Sequence, residues 1–260
     1  MLALKLGLVV ASVLLATLAA RRYGHGVAGT LAGMPVIAAP IMLFVLAQQP
    51  AQAGPIALAT LVCLPATIAH LVVFGLCAVS GLPWWAGLVA ANATIVGGGW
   101  ALGQLPLPAA GTYALAVAAP LAGLKALQLC ARRAGTRLAP GGPVAIPRSE
   151  LAWRVAVAVA MAAAVMLGAD ALPPMVSGLL LAVPIAGNVL PCFTLPRYGA
   201  AATAALLAGF VRGMFGFAAF FIVLHLLLPR GALLAALAAL LAALGTALTA
   251  HALHRHLTRR

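Results

Sequence analysis

Apolar runs of about 20 residues recur along the whole chain, separated by short polar or Pro/Gly-bearing turns, and a bilayer core demands that length of a helix. Nine spans are predicted, at 2–20, 27–46, 56–79, 84–102, 108–131, 151–169, 175–195, 200–228 and 232–253. Turn chemistry separates them: Tyr23-Gly24-His25-Gly26, Gln48-Gln49-Pro50, Ser80-Gly81-Leu82-Pro83, Gln104-Leu105-Pro106, Pro173-Pro174, Pro196-Arg197 and Pro229-Arg230-Gly231. Alternating period-2 segments are absent and Ala and Leu dominate, so helices are expected rather than barrel strands. The join between the fourth and fifth spans is short, and Gly97-Gly98-Gly99 weakens the fourth as a helix.

The pattern repeats internally. At an offset of 149 residues, Leu2-Ala3-x-Lys5 sits over Leu151-Ala152-x-Arg154, Val27-x-Gly29-x-Leu31 over Val176-x-Gly178-x-Leu180, and Pro35 over Pro184. At an offset of 146, Leu82-Pro83 sits over Leu228-Pro229. Two four-span units, 1–105 and 151–260, are therefore expected on either side of a linking segment, 106–150, which holds one span and a basic loop. That single odd span turns the second unit upside down. The expected fold is all-α, a polytopic transmembrane helix bundle of about nine spans with an inverted-topology 4+1+4 repeat.

Composition supports the membrane reading and fixes a direction. Of 260 residues, 65% are apolar and 7% charged, against roughly 25% charged in soluble domains. Fifteen Lys and Arg face two acids, Glu150 and Asp170. With the loop 132–148 in the cytoplasm, Arg21, Arg22, Lys125, Arg132, Arg133, Arg137, Arg148, Arg154, Arg197, Arg255, Arg259 and Arg260 fall on or near that side, and only Lys5 and Arg230 fall outside. Positive-inside bias then predicts a periplasmic N-terminus and a cytoplasmic C-terminus. The same basic ends suit anionic lipid head groups at the cytoplasmic face, and no basic face outside the loops suits nucleic acid. Cys63, Cys77, Cys130 and Cys192 lie in or beside apolar spans without a C-x-x-C pair and read as small hydrophobes. The run at 2–20 is matched within the second unit, so it reads as a mature span rather than a signal peptide.

Leu4-Lys5, Leu18-Ala19-x-x-Arg22-Tyr23, Ala28-Gly29, Pro35 and Ala59-Thr60 resemble the GlpM-like family of small four-span inner-membrane proteins. The resemblance covers roughly residues 2–105, and more weakly the second unit through Gly178 and Pro184. It implies a four-helix unit of the bacterial inner membrane and brings no molecular activity with it. The fusion of two units through an extra span departs from the family and implies an enclosed pseudo-dimer.

Arg212 is the sharpest candidate for chemistry. It lies about 12 residues from its span's cytoplasmic end, or about 18 Å deep, where a cation faces a cavity or a partner. Both acids are expected at opposite membrane surfaces, so backbone carbonyls, Asn188, water or an anionic ligand remain as its partners. Pro35 and Pro40 correspond to Pro184 and Pro191. Each removes a backbone donor, which gives either simple kinks or the paired interrupted helices that mark midplane sites in inverted-repeat transporters. Asn188, His70 and Asn92 are polar within apolar spans and either line that place or bond a neighbouring helix. Gly29 and Gly33, and likewise Gly209 and Gly213, have the G-x-x-x-G spacing of close helix packing. Lys125 and His225 lie near span ends. The tail His251-x-x-His254-Arg255-His256 lacks an acid or Cys and reads as a basic helix end, so no metal and no cofactor is expected.

No carboxylate lies in mid-span, which disfavours an Asp/Glu ion relay. No Walker sequence or G-x-S-x-G is present, and Ser12, Ser80, Ser149 and Ser177 have no base beside them, so an enzyme is not expected. The expected function is a small permease, a facilitator or exchanger for a small anionic or polar solute. The alternative is a non-transporting scaffold or anionic-lipid-handling component of an envelope pathway.

Overall fold

A computed structural model describes residues 2–133, 135, 146–167 and 173–258. Arg137, Asp170, Arg259 and Arg260 lie outside the described residues, as do the side chains of Lys5, Ser12, Arg148, Ser177, His251, His254, Arg255 and His256. The described chain is helical, with no strand among its residues: α1 (Leu2–Tyr23), α2 (His25–Gly33), α3 (Ala38–Gln48), α4 (Pro50–Val79), α5 (Trp84–Gly103), α6 (Ala109–Arg133), α7 (Arg148–Leu167), α8 (Pro174–Ala182), α9 (Ile185–Leu227) and α10 (Ala232–Thr258). A 3-10 turn, Leu228–Arg230, joins the last two.

Five stretches are long and apolar enough to cross a membrane: His25–Gln48, Pro50–Val79, Trp84–Gly103, Ala109–Arg133 and Leu179–Arg230. These fit an integral, multi-pass membrane protein. The last holds 52 residues, more than twice the roughly 20 that one crossing uses. It bends at Gly199, where φ is 80° and ψ 179°, a conformation that glycine adopts without the Cβ clash other residues meet. Two arms result, 185–198 and 200–227. By contrast α5 runs unbroken through Gly97-Gly98-Gly99. Gly98 seats on Ala66 and Gly99 on Leu179, so two of the three glycines serve close packing.

The second and seventh apolar segments are each interrupted. α2 stops at Gly33 and α3 resumes at Ala38; α8 stops at Ala182 and α9 resumes at Ile185. A proline without an N–H stands in each gap, Pro35 in one and Pro184 in the other. The residues before them, Met34 and Val183, are extended (φ −72°, ψ 159° and φ −62°, ψ 118°), the conformation that a following proline favours. The hydrogen bonds match as well. Val36 N–H donates to Met34 O and Ile185 N–H to Val183 O; Ala39 N–H donates to Pro35 O and Asn188 N–H to Pro184 O. Pro191, by contrast, sits inside continuous helix, and Pro40 lies in the first turn of α3.

α4 and α9 form the centre of the bundle. α4 packs on α5, α6, α8 and α9, while α9 also carries α2 and α10; α1 lies on α2 and α7. The two breaks meet: Ile37 and Ile185 share one small apolar cluster with Val13 of α1, Ala158 of α7 and Val189. Between α2 and α9 the backbones touch. A Cβ added at Gly29 would collide with Leu206 O, at Gly33 with Phe210 O, at Gly209 with Gly26 O and at Gly213 with Thr30 O. Gly29 and Gly33 thus face the stretch that carries Gly209 and Gly213, in one interface.

Candidate functional site

At the α8–α9 break the lost helical bonds are partly replaced from α4. Thr67, wholly buried, donates its hydroxyl at 2.9 Å to Ala182 O, a terminal carbonyl of α8. One turn along α4, His70 is also wholly buried, and neither ring nitrogen makes a hydrogen bond of full geometry. Its ring faces the backbone of Ala91 in α5 and of Gly187 in α9. Gly187 O is the carbonyl whose helical donor Pro191 lacks, so both prolines of the seventh segment act on this spot. The residues following those two contacts close the group: Asn92 Nδ2 donates at 2.8 Å to Leu88 O and at 2.9 Å to Asn188 Oδ1. Asn188 is 1% exposed and its Nδ2 has no partner.

Four residues singled out from sequence, His70, Asn92, Pro184 and Asn188, therefore stand together. Pro35 lies in the other break, joined to the first through Ile37. Arg212 stands apart from the group. It is half-buried on the long arm of α9 and makes no hydrogen bond or ion pair among the described residues. Gly213 beside it turns to α2, and Val211 on its other side turns to Gly123 of α6. Lys125 is exposed. His225 is tied by Nδ1 to the Tyr113 hydroxyl of α6 at 2.5 Å.

A second polar group forms around Glu150, one of the two acids expected at the membrane surfaces. Glu150 is 7% exposed and Arg154 only 1%. Arg154 Nε and Nη2 donate to Glu150 Oε1 at 3.0 and 2.5 Å, and Arg197 Nη1 lies 3.0 Å from Oε2. The Tyr198 hydroxyl reaches the same carboxylate, and the Tyr198 ring lies 4.9 Å from that of His25, whose ring nitrogens are buried without partners. Arg21 closes the group by donating to Ile146 O. The end of α1, the starts of α2 and α7 and the Gly199 bend of α9 converge here, which shields the carboxylate from solvent. Sequence carried one sign of it, the i, i+4 spacing of Glu150 and Arg154 in a chain with two acids. Nothing local pointed to Arg197, Tyr198 or His25.

Comparison with protein-family models, with curated proteins and with solved structures finds no match for this chain.

Proposed function

We propose that the chain is a small permease, a facilitator or exchanger, that binds a small polar or anionic solute beside the α8–α9 break. In this reading nine crossings form two inverted four-helix units around α6 in a bacterial inner membrane. The likeness to GlpM-like proteins belongs to the same proposal and rests on the residues quoted for it. The observation that carries the reading is His70: a fully buried imidazole without a full hydrogen bond, facing a helix at the point where it is interrupted. Polar groups held within apolar spans mark solute paths, and interrupted helices at matching positions of two halves mark where a solute sits. Arg212 contributes positive potential from the neighbouring arm of α9, and the basic helix ends meet anionic lipid.

The test is uptake into proteoliposomes across a panel of small anions and neutral polar solutes. Wild type is expected to carry one class, and Asn188→Leu to lose roughly tenfold or more of that flux, the scale of one hydrogen bond to a charged solute. Arg212→Ala is expected to weaken anion preference. Equal and negligible flux for all three proteins ends the transport reading. It favours the alternative of a scaffold or lipid-handling component, for which the backbone-to-backbone contact of α2 and α9 speaks, since such an interface has no slack for a rocking bundle.

A further inference from the structure

The sequence Arg-Tyr-Gly occurs at 22–24 and again at 197–199, and the fold sets the two copies against each other. Each closes one helix and opens the next: Gly24 stands between α1 and α2, and Gly199 between the two arms of α9. Both glycines take nearly the same conformation, φ 85°, ψ 174° and φ 80°, ψ 179°, so the chain turns the same corner twice. In each copy the guanidinium lies over the ring of the tyrosine that follows it, 5.5 Å from the Tyr23 centroid and 5.8 Å from that of Tyr198. Both are within the range of cation–π attraction. The Tyr198 ring in turn lies 4.9 Å from that of His25, the residue after Gly24, which joins the two corners.

The joined corners carry more positive charge than the protein neutralises. Arg21, Arg22, Arg154 and Arg197 gather here against Glu150, the one acid among the described residues. Arg154 binds Glu150 with two nitrogens and Arg197 lies against it with one. Arg22 is exposed and makes no hydrogen bond or ion pair among the described residues. His25 is left over as well, 4% exposed with both ring nitrogens unpartnered. A guanidinium holds its donors in a rigid fork that matches two oxygens of a phosphate. A tyrosine ring beneath keeps that fork in place, so less side-chain freedom is lost when a ligand arrives.

The surroundings suit a phosphate that carries acyl chains. Leu15, Leu18 and Arg22 are all exposed, and their spacing of three and four residues puts them on one face of α1. A chain lying along the two leucines therefore leads to a head group at Arg22. Tyr23 and Trp153, the latter next to Arg154, are exposed beside the corners, and such rings favour the head-group level of a bilayer. A free phosphate would use the arginines and leave the leucines and aromatic rings without a role.

We infer that the paired Arg-Tyr-Gly corners bind an anionic phospholipid, its phosphate held by Arg22 and Arg197 and an acyl chain laid along Leu15 and Leu18. The site goes beyond the permease reading and does not rest on it; it narrows the attraction of basic helix ends for anionic lipid to one place. The test is native mass spectrometry of the purified full-length protein in detergent, titrated with phosphatidylglycerol or phosphatidylcholine. One phosphatidylglycerol is expected to bind ahead of any others, and about tenfold or more tighter than phosphatidylcholine; excess glycerol phosphate is expected not to displace it. Arg22→Ala is expected to weaken that first site about tenfold, the scale of one hydrogen bond to a charge. Arg22→Lys keeps the charge without the fork and is expected to recover only part of the loss. Arg132→Ala removes an exposed arginine from the end of α6 and is expected to leave the first site unchanged. If Arg22→Ala does not fold, Arg22→Lys against Arg132→Ala carries the same comparison. Equal losses at Arg22 and Arg132 would show diffuse attraction to charge and overturn the site, as would equal affinity for the two lipids. Displacement by glycerol phosphate would give the corners to a free phosphate and overturn the lipid assignment.

Discussion

Glu150 lies between two guanidinium groups, and the deeper of them, Arg154, is 1% exposed. The surface partner, Arg197, keeps about half its side chain in the open and gains little from the pairing. The energetic interest is in the buried pair. Removing the carboxylate leaves Arg154 desolvated and unpaired, a loss of about 3–5 kcal/mol by the usual scale. Glu150→Gln is therefore expected to lower the melting temperature in detergent sharply. The double variant Glu150→Leu/Arg154→Met, which replaces both charges with apolar groups, is expected to recover most of the loss. A double variant no better than Glu150→Gln would mean that the carboxylate acts through Arg197 and Tyr198 instead. This group was hidden from sequence for a physical reason. An i, i+4 Glu–Arg pair at a helix start looks the same whether water or three other helix ends surround it, and the burial comes from residues 43 or more positions away, such as Arg197. The same holds for Tyr113 and His225, 112 residues apart.

At the scale of elements, the legible features were those that act through the backbone of their own neighbourhood. Pro35 and Pro184 announce their breaks because a missing N–H and a fixed φ are local facts. Gly29, Gly33, Gly209 and Gly213 announce a close approach for the same reason, although which stretch faces which was not written in the spacing. His70, Asn92 and Asn188 were visible as polar residues in apolar runs, and their meeting was not, because it depends on how α4, α5 and α9 are turned about their axes. By the repeat Pro191 corresponds to Pro40, yet one stands inside continuous helix and the other in a first turn. The glycine interface makes a sharp prediction. Added methyl groups there meet backbone oxygens, which cannot swing aside as a side chain can, so the helices must part. Gly29→Ala and Gly213→Ala are each expected to cost at least about 1–3 kcal/mol, the usual range for overpacking. Gly97→Ala, where a Cβ meets nothing within 4 Å, is expected to be neutral or to stabilise by up to about 1 kcal/mol through helix propensity. Combining Gly29→Ala with Gly209→Ala is expected to cost less than the sum, because the first separation makes room for the second. Thermal melts of these four variants and of Gly209→Ala alone decide it, and additive losses would show that the two glycine pairs do not share one contact.

Across the whole molecule, contacts sort the helix ends into two levels. Gly54 lies against Leu228, Gly103 against Met175, and Tyr113 against His225. At the other level Gly75 lies against Leu127 and Leu207, Arg21 reaches Ile146, and Glu150 meets Arg197. Trp84 and Trp85 are exposed at one end of α5 and Trp100 near the other. A rise of 1.5 Å per residue sets them about 23 Å apart, a separation that suits the two aromatic belts of a bilayer. If the halves are inverted copies, corresponding turns must lie on opposite sides of the membrane. Tyr23 and Pro173 form one such pair, Gln49 and Pro196 a second, Ser80 and Arg230 a third, and all six are exposed. With the four native cysteines replaced by alanine, single cysteines at Gln49, Pro173 and Arg230 are expected to react with an impermeant maleimide in intact cells. Those at Tyr23, Ser80 and Pro196 are expected to react only after the cells are opened. The contacts already place Gly54 and Leu228, near Gln49 and Arg230, at one level, so these two sites must label alike whichever way the chain inserts. What the labelling adds is which level faces the cytoplasm, and a check in the membrane of the two levels themselves. Two members reacting from one side would mean repeats that run parallel, and the paired breaks at Pro35 and Pro184 would then owe their likeness to packing rather than to an inverted ancestry.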